Sequence, residues 1–327
     1  MFDRERDKVR LHKLAQKNIY LGTSSWNYEG WRGQVYIGDY SGARKDFVKS
    51  RFMAEALREY ATVFPTVCFD GAYWRFPEPT QLKHFHEETT PGFKMALKCT
   101  DIVTVYRFRD TKDMGQKRGQ LNSTYLDAEA FKEYFYKPAT EHLSDKLGPV
   151  IFEFSPFHFD KYFGEQEYKP IDFVKDLHQF LSKIPKDIDY AVEIRDPIFV
   201  SPEFTRYRDC LEYHGVAHCL NQQTWMPEIG EQLTIPGIIT ADHIVVRALT
   251  RPGVSHEEAV KDFAPYDRTQ IVLEGMRGAI AGLIHESIQN RKKVFVYSNN
   301  RAEGNSPNTL AAVLDLFDEL EAQEKAV

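Results

Sequence analysis

The sequence Asp189-Tyr190-Ala191-Val192-Glu193-Ile194-Arg195-Asp196 sets two charged residues into a short apolar run. Successive side chains of a β-strand point to opposite faces, so Glu193 and Arg195 are predicted to share one face. Seven other apolar runs of this chain end in polar or charged residues. They end near Ser24-Ser25-Trp26, Asp70, Lys98, Glu153, Asn221, Arg247 and Asn299-Asn300.

The segments between these runs carry apolar residues at helical spacing, as in residues 47–61 and 173–181. Strands that alternate with helices, without a break in composition, predict an α/β fold with a single parallel barrel, the TIM (β/α)₈ barrel. A doubly wound open sheet is the main alternative. It normally binds a nucleotide through a Gly-rich first turn, and no GxGxxG follows the first strand here.

The chain is expected to hold one barrel domain over residues 19–327, preceded by an N-terminal extension over residues 1–18. The extension is rich in charges of both signs and reads as an amphipathic helix or a flexible arm. A long insertion is predicted after strand three, over residues 100–125, where basic residues are frequent. Loops of this length are usually functional lids or disordered insertions.

Three boundaries in the second half of the barrel follow from local signals. A helix is predicted over residues 201–214, because Ser201 is a plausible cap and Pro202 fits a first turn. Strand six is predicted over residues 215–220. A long helix is predicted over residues 267–290, just before strand eight.

The net charge, the cysteines and the apolar stretches of the chain indicate which kinds of partner and which compartment to expect. The net charge of −6 argues against a general nucleic-acid coat, because release of counterions requires a basic surface. The four cysteines form no CxxC pair, and the N-terminus has no secretory apolar segment, which favours a reduced, cytoplasmic protein. No apolar stretch approaches the roughly 18 residues needed to span a bilayer, so no membrane partner is expected.

The predicted catalytic residues are the three acids at strand ends, Glu193, Asp70 and Glu153. A carboxylate inside a barrel mouth suits general acid–base chemistry, with a nearby arginine tuning its pKa. The alternative for Glu193 and Arg195 is an ion pair that braces the rim. Three acids could also hold Mg²⁺, but nearby cations could neutralise them, so no cofactor and no metal ligand is assigned.

Cations, amides and aromatic rings of the mouth are predicted to bind the substrate: Lys98, Arg195, Arg247, Asn299, Asn300, Trp26, Tyr28 and Tyr73. The cations suit a phosphate or carboxylate, and barrels often bind phosphate near strands seven and eight. Amides can orient a ligand, and rings can stack on a planar one. The alternatives are rim-lining stems for the cations, a turn for the asparagines and packing for the rings.

Several blocks of this sequence resemble the domain-of-unknown-function 72 family (YecE-like). They include Gly22-Thr23-Ser24-Ser25-Trp26, Val192-Glu193-Ile194-Arg195-Asp196-Pro197 and Val296-Tyr297-Ser298-Asn299-Asn300. The resemblance implies a TIM barrel and no established reaction. It also marks departures at Cys68, Asp70, Glu153 and Ser155, where members usually carry Glu, Asn, Gln and Pro. If those groups read the family's ligand, this chain is expected to bind a variant ligand or none.

The leading functional hypothesis is an enzyme of hydrolase or isomerase type that acts on a small anionic, phosphate- or sugar-containing substrate. A second hypothesis is a nucleic-acid-binding or processing barrel resembling abasic-site endonucleases, motivated by the basic insertion and the aromatic loops. Such enzymes use a dense zinc cluster, whereas the eleven histidines of this chain are scattered. A third hypothesis is a non-catalytic ligand-binding barrel. The sequence does not specify an oligomeric state.

Overall fold

A computed structural model describes residues 1–42, 45–108, 118–157 and 168–326 of the chain. Eight parallel strands form a closed barrel in which each strand pairs with its neighbours in sequence and β8 pairs with β1. The predicted TIM barrel is therefore confirmed. The strands are β1 (Ile19–Ser24), β2 (Thr66–Phe69), β3 (Lys94–Lys98), β4 (Leu147–Phe154), β5 (Tyr190–Ile194), β6 (Ala217–Gln222), β7 (His243–Ala248) and β8 (Lys293–Ser298).

Helices connect the strands and cover the outside of the barrel. The first half contains α1 (Arg4–Ala15), α2 (Lys49–Val63), α3 (Pro79–Glu88), α4 (Asp101–Thr104), α5 (Ala128–Phe131) and α6 (Lys137–Leu143). One π-helical turn, Lys132–Tyr136, joins α5 to α6. The second half contains α7 (Pro170–Lys183), α8 (Arg206–His214), α9 (Ile229–Leu233), α10 (His256–Phe263), α11 (Glu274–Gln289), α12 (Asn300–Glu303) and α13 (Ser306–Ala326).

The barrel interior is built from the alternate residues of the strands. It is filled by Cys68, Ala96, Ile151, Ala191, Ala217, Cys219, Val245, Phe295 and Tyr297. Because the side-chain period of a strand is two, the residues two positions later point the same way. Two positions after four of these interior residues come Lys98, Glu153, Glu193 and Arg247. The apolar interior therefore ends in a charged layer at the mouth.

The three predicted boundaries are shifted, each for a local reason. Helix α8 begins at Arg206 rather than at Ser201, whose carbonyl accepts a hydrogen bond from the Arg208 guanidinium (2.9 Å). Strand β6 begins at Ala217, since Gly215 ends α8 in the left-handed conformation with φ +64°. Helix α11 begins only at Glu274, because the preceding segment bonds to α12 through Gln270 N and Glu303 O (2.7 Å).

Both ends of the chain pack on the barrel. Helix α1 buries Leu11 and Leu14, and its fully buried Asp7 accepts hydrogen bonds from Arg6 and Arg10.

The insertion after β3 begins with α4, and its middle, residues 109–117, lies outside the described residues. Among the described residues, no helix combines the length and apolar character needed to cross a membrane.

Candidate functional site

Glu193 lies at the centre of the charged layer and is fully buried. Its Oε1 accepts hydrogen bonds from Arg195 Nε (2.8 Å) and Nη2 (2.6 Å), and its Oε2 accepts one from Arg247 Nη1 (2.6 Å). Both carboxylate oxygens are therefore occupied by guanidinium groups. The parallel register places Glu153 of β4 beside Glu193 of β5.

Arg247 joins this carboxylate to the opposite side of the mouth. Its Nη2 donates to Asp70 Oδ1 (2.6 Å) and Oδ2 (2.8 Å), and it lies 3.3 Å from Ser24 Oγ. The side chain of Arg247 is 1% exposed, whereas that of Asp70 is 32% exposed. Asp70 is thus the acid of this layer that solvent and a ligand can reach.

Glu153 carries the network toward β3. Arg195 Nη2 lies 2.8 Å from Glu153 Oε2, and Lys98 Nζ makes an ion pair with the same oxygen. Lys98 Nζ also lies 3.9 Å above the centre of the Tyr73 ring, at the distance of a cation–π contact. The six predicted charged residues therefore form one continuous network: Asp70, Lys98, Glu153, Glu193, Arg195 and Arg247.

The network holds Glu193 and Asp70 in the ionised form. Burial by itself raises the pKa of Glu193, but the charges of Arg247, Arg195 and Lys98 outweigh burial and hold the pKa well below its usual range. The pKa of Asp70 is lowered in the same way, with burial opposed chiefly by Arg247. Neither group is an effective base at neutral pH while these contacts persist.

Arg301, in the helical turn directly after β8, adds a fourth cation to the mouth. Its side chain lies near Tyr28, Asp70 and Tyr266, and burial lowers the pKa of its guanidinium. Among the residues that the structure describes, no carboxylate lies within ion-pair distance of Arg301. The pattern of strand ends in the sequence did not single out Arg301, although this residue follows Asn299-Asn300 immediately and belongs to the strand-eight end that barrels use for anions.

The two asparagines predicted to bind a ligand make local hydrogen bonds, and the buried Nδ2 of Asn300 has no hydrogen-bond partner among the described residues. Asn299 caps α12, since its Oδ1 accepts from Arg301 N (3.0 Å). Asn300 Oδ1 accepts from Ser306 N (2.8 Å) at the start of α13. Asn221, one of the polar strand ends, also has a buried polar atom without a partner in the described part of the chain. Its Nδ2 donates to Ile194 O (2.9 Å), while its buried Oδ1 has no hydrogen-bond partner among the described residues.

The aromatic residues of the first loops are used mainly for packing. Trp26 is buried against Phe69 and Phe85, with ring centres 5.8 and 5.4 Å away. Tyr28 packs against Trp31 and Tyr266. The Tyr73 ring lies under the Lys98 ammonium group, and burial raises the pKa of Tyr73. Two tryptophans that follow strand ends are exposed, namely Trp74 after β2 (62%) and Trp225 after β6 (67%).

The family model described as protein of unknown function DUF72 matches residues 20–326. Among solved structures, a DUF72 family protein from Thermotoga maritima MSB8 is 19% identical with a TM-score of 0.56, covering 93% of this chain and 99% of that chain. A DUF72 family protein from Enterococcus faecalis V583 is 17% identical with a TM-score of 0.56, covering 92% and 95%. At these identities the likeness shows the fold alone. None of the curated proteins matches this chain.

Proposed function

The chain belongs to the DUF72 family of proteins of unknown function, and we propose that it is an enzyme acting on a small anionic, phosphate- or sugar-containing substrate in the barrel mouth. The observation that carries the proposal is the excess of positive charge there. Three carboxylates pair with Lys98, Arg195 and Arg247, and Arg301 stands beside them without an ion-pair partner among the described residues.

Such a cation favours an anionic ligand for an electrostatic reason. Removing a guanidinium from water is costly unless an opposite charge or hydrogen-bond acceptors replace the water. Arg301 is partly buried next to two tyrosine rings, and the nearest acid, Asp70, is already bonded to Arg247. A phosphate or carboxylate that contacts Arg301 supplies the missing charge and presents acceptor oxygens to a planar donor.

Unsatisfied polar atoms nearby also favour a polar ligand. Arg247 Nε and Asn221 Oδ1 are buried without hydrogen-bond partners among the described residues. Buried polar atoms in native proteins nearly always have a protein or water partner. The register places Asn221 and Arg247 side by side on β6 and β7, so the two unpartnered atoms belong to neighbouring residues of the mouth.

Within this proposal Asp70 is the acid–base residue. Glu193 and Glu153 are ion-paired with Lys98, Arg195 and Arg247, so in this proposal they position the cations. An anion that draws Arg247 or Arg301 toward itself weakens the hold on Asp70. Weaker contact with that positive charge raises the pKa of Asp70 toward its ordinary value. Asp70 then becomes able to accept a proton from the substrate.

The test begins with binding. Inorganic phosphate and a panel of sugar phosphates are titrated while the melting temperature is followed, since a ligand at 100 times its Kd stabilises by about 2.7 kcal/mol. Arg301→Gln is expected to abolish the shift, and Arg58→Gln, an exposed arginine on α2, is the matched control. Turnover of the bound compound is then measured with Asp70→Asn, which is expected to bind but not to react. A chain that binds none of these anions contradicts the proposal.

A non-catalytic ligand-binding barrel is the second candidate, and one observation favours it. In the free protein the titratable groups around Asp70 have pKa values shifted away from neutral pH. The pKa of Glu193 is lowered, and burial raises the pKa of Cys68 and of Tyr73, so these groups do not exchange protons readily at neutral pH. Binding of an anion without turnover by the wild type supports this candidate.

The nucleic-acid alternative receives less support. In the described part of the insertion, Arg107 Nη1 donates to Gly119 O (2.7 Å), so this group is bonded within the insertion and is not free to contact a phosphate.

A cytoplasmic location belongs to the main proposal and is supported by the four cysteines, which are free thiols.

A further inference from the structure

We propose that His178, Cys210 and His214 form a binding site for one thiophilic divalent cation, with Zn²⁺ as the best match, on the outside of the barrel. Cys210 and His214 belong to α8, and His178 belongs to the neighbouring α7. One potential ligand atom from each residue lies within 4.8 Å of the other two.

The helices bring the three side chains together. Residues four positions apart on a helix lie on the same face, so Cys210 and His214 point in one direction. Helix α7 packs against that face and contributes His178, whose Nδ1 is 3.0 Å from His214 Nε2. The Cys-x₃-His spacing is the sequence signal for this site, but it becomes meaningful only when a second helix supplies the third ligand.

The distances and ligand types suit zinc. Zn–N bonds of about 2.0–2.1 Å and Zn–S bonds of about 2.3 Å place tetrahedral ligands about 3.3–3.6 Å apart. Closing the observed spacing to these values requires side-chain shifts of up to about 1.5 Å, and the side chain of His178 is exposed. Two imidazoles and a thiolate select Zn²⁺ over Mg²⁺ or Ca²⁺, which prefer oxygen ligands.

Three protein ligands leave a fourth coordination position. A groove of about 510 Å³ lies between α7 and α8, and its lining includes His178, Cys210, Lys175 and Asp209. The fourth ligand can thus be a water or a small molecule that enters from the groove. His214 is the last residue of α8, which leads back to the start of β6, so this site and the mouth lie at opposite ends of the barrel.

Lys186 opposes metal binding in the free protein. Its Nζ lies 3.4 Å from His214 Nδ1 and donates to Leu181 O (2.5 Å). An ammonium group so close to a ligand repels a dication, and it occupies the nitrogen that carries the proton when Nε2 binds a metal. The lysine must swing away, so Lys186→Met is expected to tighten Zn²⁺ binding.

The experiment is a titration of the purified full chain with Co²⁺ and then Zn²⁺. Wild type is expected to take up one equivalent of Co²⁺, to develop a thiolate-to-cobalt charge-transfer band, and to lose the band when Zn²⁺ displaces the cobalt. Cys210→Ser is expected to lack the band. His178→Gln and His214→Gln are expected to bind at least about 100-fold more weakly, since even outer-shell partners of metal ligands are worth 10–100-fold.

His84→Gln changes an exposed histidine on α3 and is the matched control, expected to match wild type. Thermal melts identify any variant that fails to fold. Lys186→Met is expected to raise the affinity for Zn²⁺, whereas the ligand variants lower it. A stoichiometric band that persists in Cys210→Ser overturns the proposal. So does metal affinity that is equal in His84→Gln and in the two ligand-histidine variants, or the lack of any cobalt band in folded wild type.

Discussion

Replacing Glu193 with glutamine removes the carboxylate that bonds to both Arg195 and Arg247. Glutamine keeps the shape but presents an NH₂ group to one of the two guanidinium groups. Removing one partner of a buried ion pair costs about 3–5 kcal/mol. Each arginine keeps a second acid, Glu153 or Asp70, so the expected loss in free energy of unfolding is about 3 kcal/mol, the lower end of that range.

The loss is expected to depend on pH, with a sign fixed by the lowered pKa of Glu193. A carboxylate whose pKa is lower in the folded state than in the unfolded one stabilises the protein fully above its unfolded pKa, here 4.5. That stabilisation falls by about 1.4 kcal/mol per pH unit as the pH drops below 4.5 toward the folded pKa. The difference between wild type and Glu193→Gln should therefore be largest at neutral pH and shrink in acid.

Urea unfolding at neutral pH and at two values below 4.5 measures both effects. Asp315→Asn is the control, because Asp315 pairs with Arg10 at the surface with 48% of its side chain exposed, and its loss should be below about 1 kcal/mol. A loss for Glu193→Gln as small as for the control would refute the reasoning that the buried ion pairs of Glu193 stabilise the fold. A difference that grows as the pH falls would refute the lowered pKa.

Three further outcomes concern β1, the cap of α12 and the loop after β2. Gly22→Ala is expected to cost about 3 kcal/mol in urea unfolding, because its Cβ would lie 1.9 Å from Thr66 O; a stability loss below 1 kcal/mol is inconsistent with this close approach of β1 and β2. Asn299→Ala is expected to lower stability by about 1 kcal/mol through loss of the cap of α12 while phosphate affinity is unchanged. A large loss of affinity without loss of stability would return Asn299 to ligand binding. Trp74→Ala is expected to alter stability by no more than about 0.5 kcal/mol, since the ring is 62% exposed, and calorimetric titration with sugar phosphates shows whether it stacks on the ligand.

The sequence by itself determined the barrel and the ring of residues at its mouth. Apolar runs of strand length alternate with helical periodicity, and the period of two sends Glu193 and Arg195 to one face. Because parallel strands of a barrel end at the same rim, polar residues at separate strand ends had to meet there. This local logic placed Lys98 and Arg247 correctly, although they are 149 positions apart in the chain.

Only the tertiary structure decided how those residues divide their roles. Sequence pattern could not show that Glu193 is enclosed by two arginines while Asp70 remains accessible, because burial and pairing depend on side chains from different strands. The same reason hid Arg301, whose significance lies in the charges around it. The meeting of His178 with Cys210 and His214 was hidden too, because it depends on how two outer helices pack, and no strand-end pattern reports that contact.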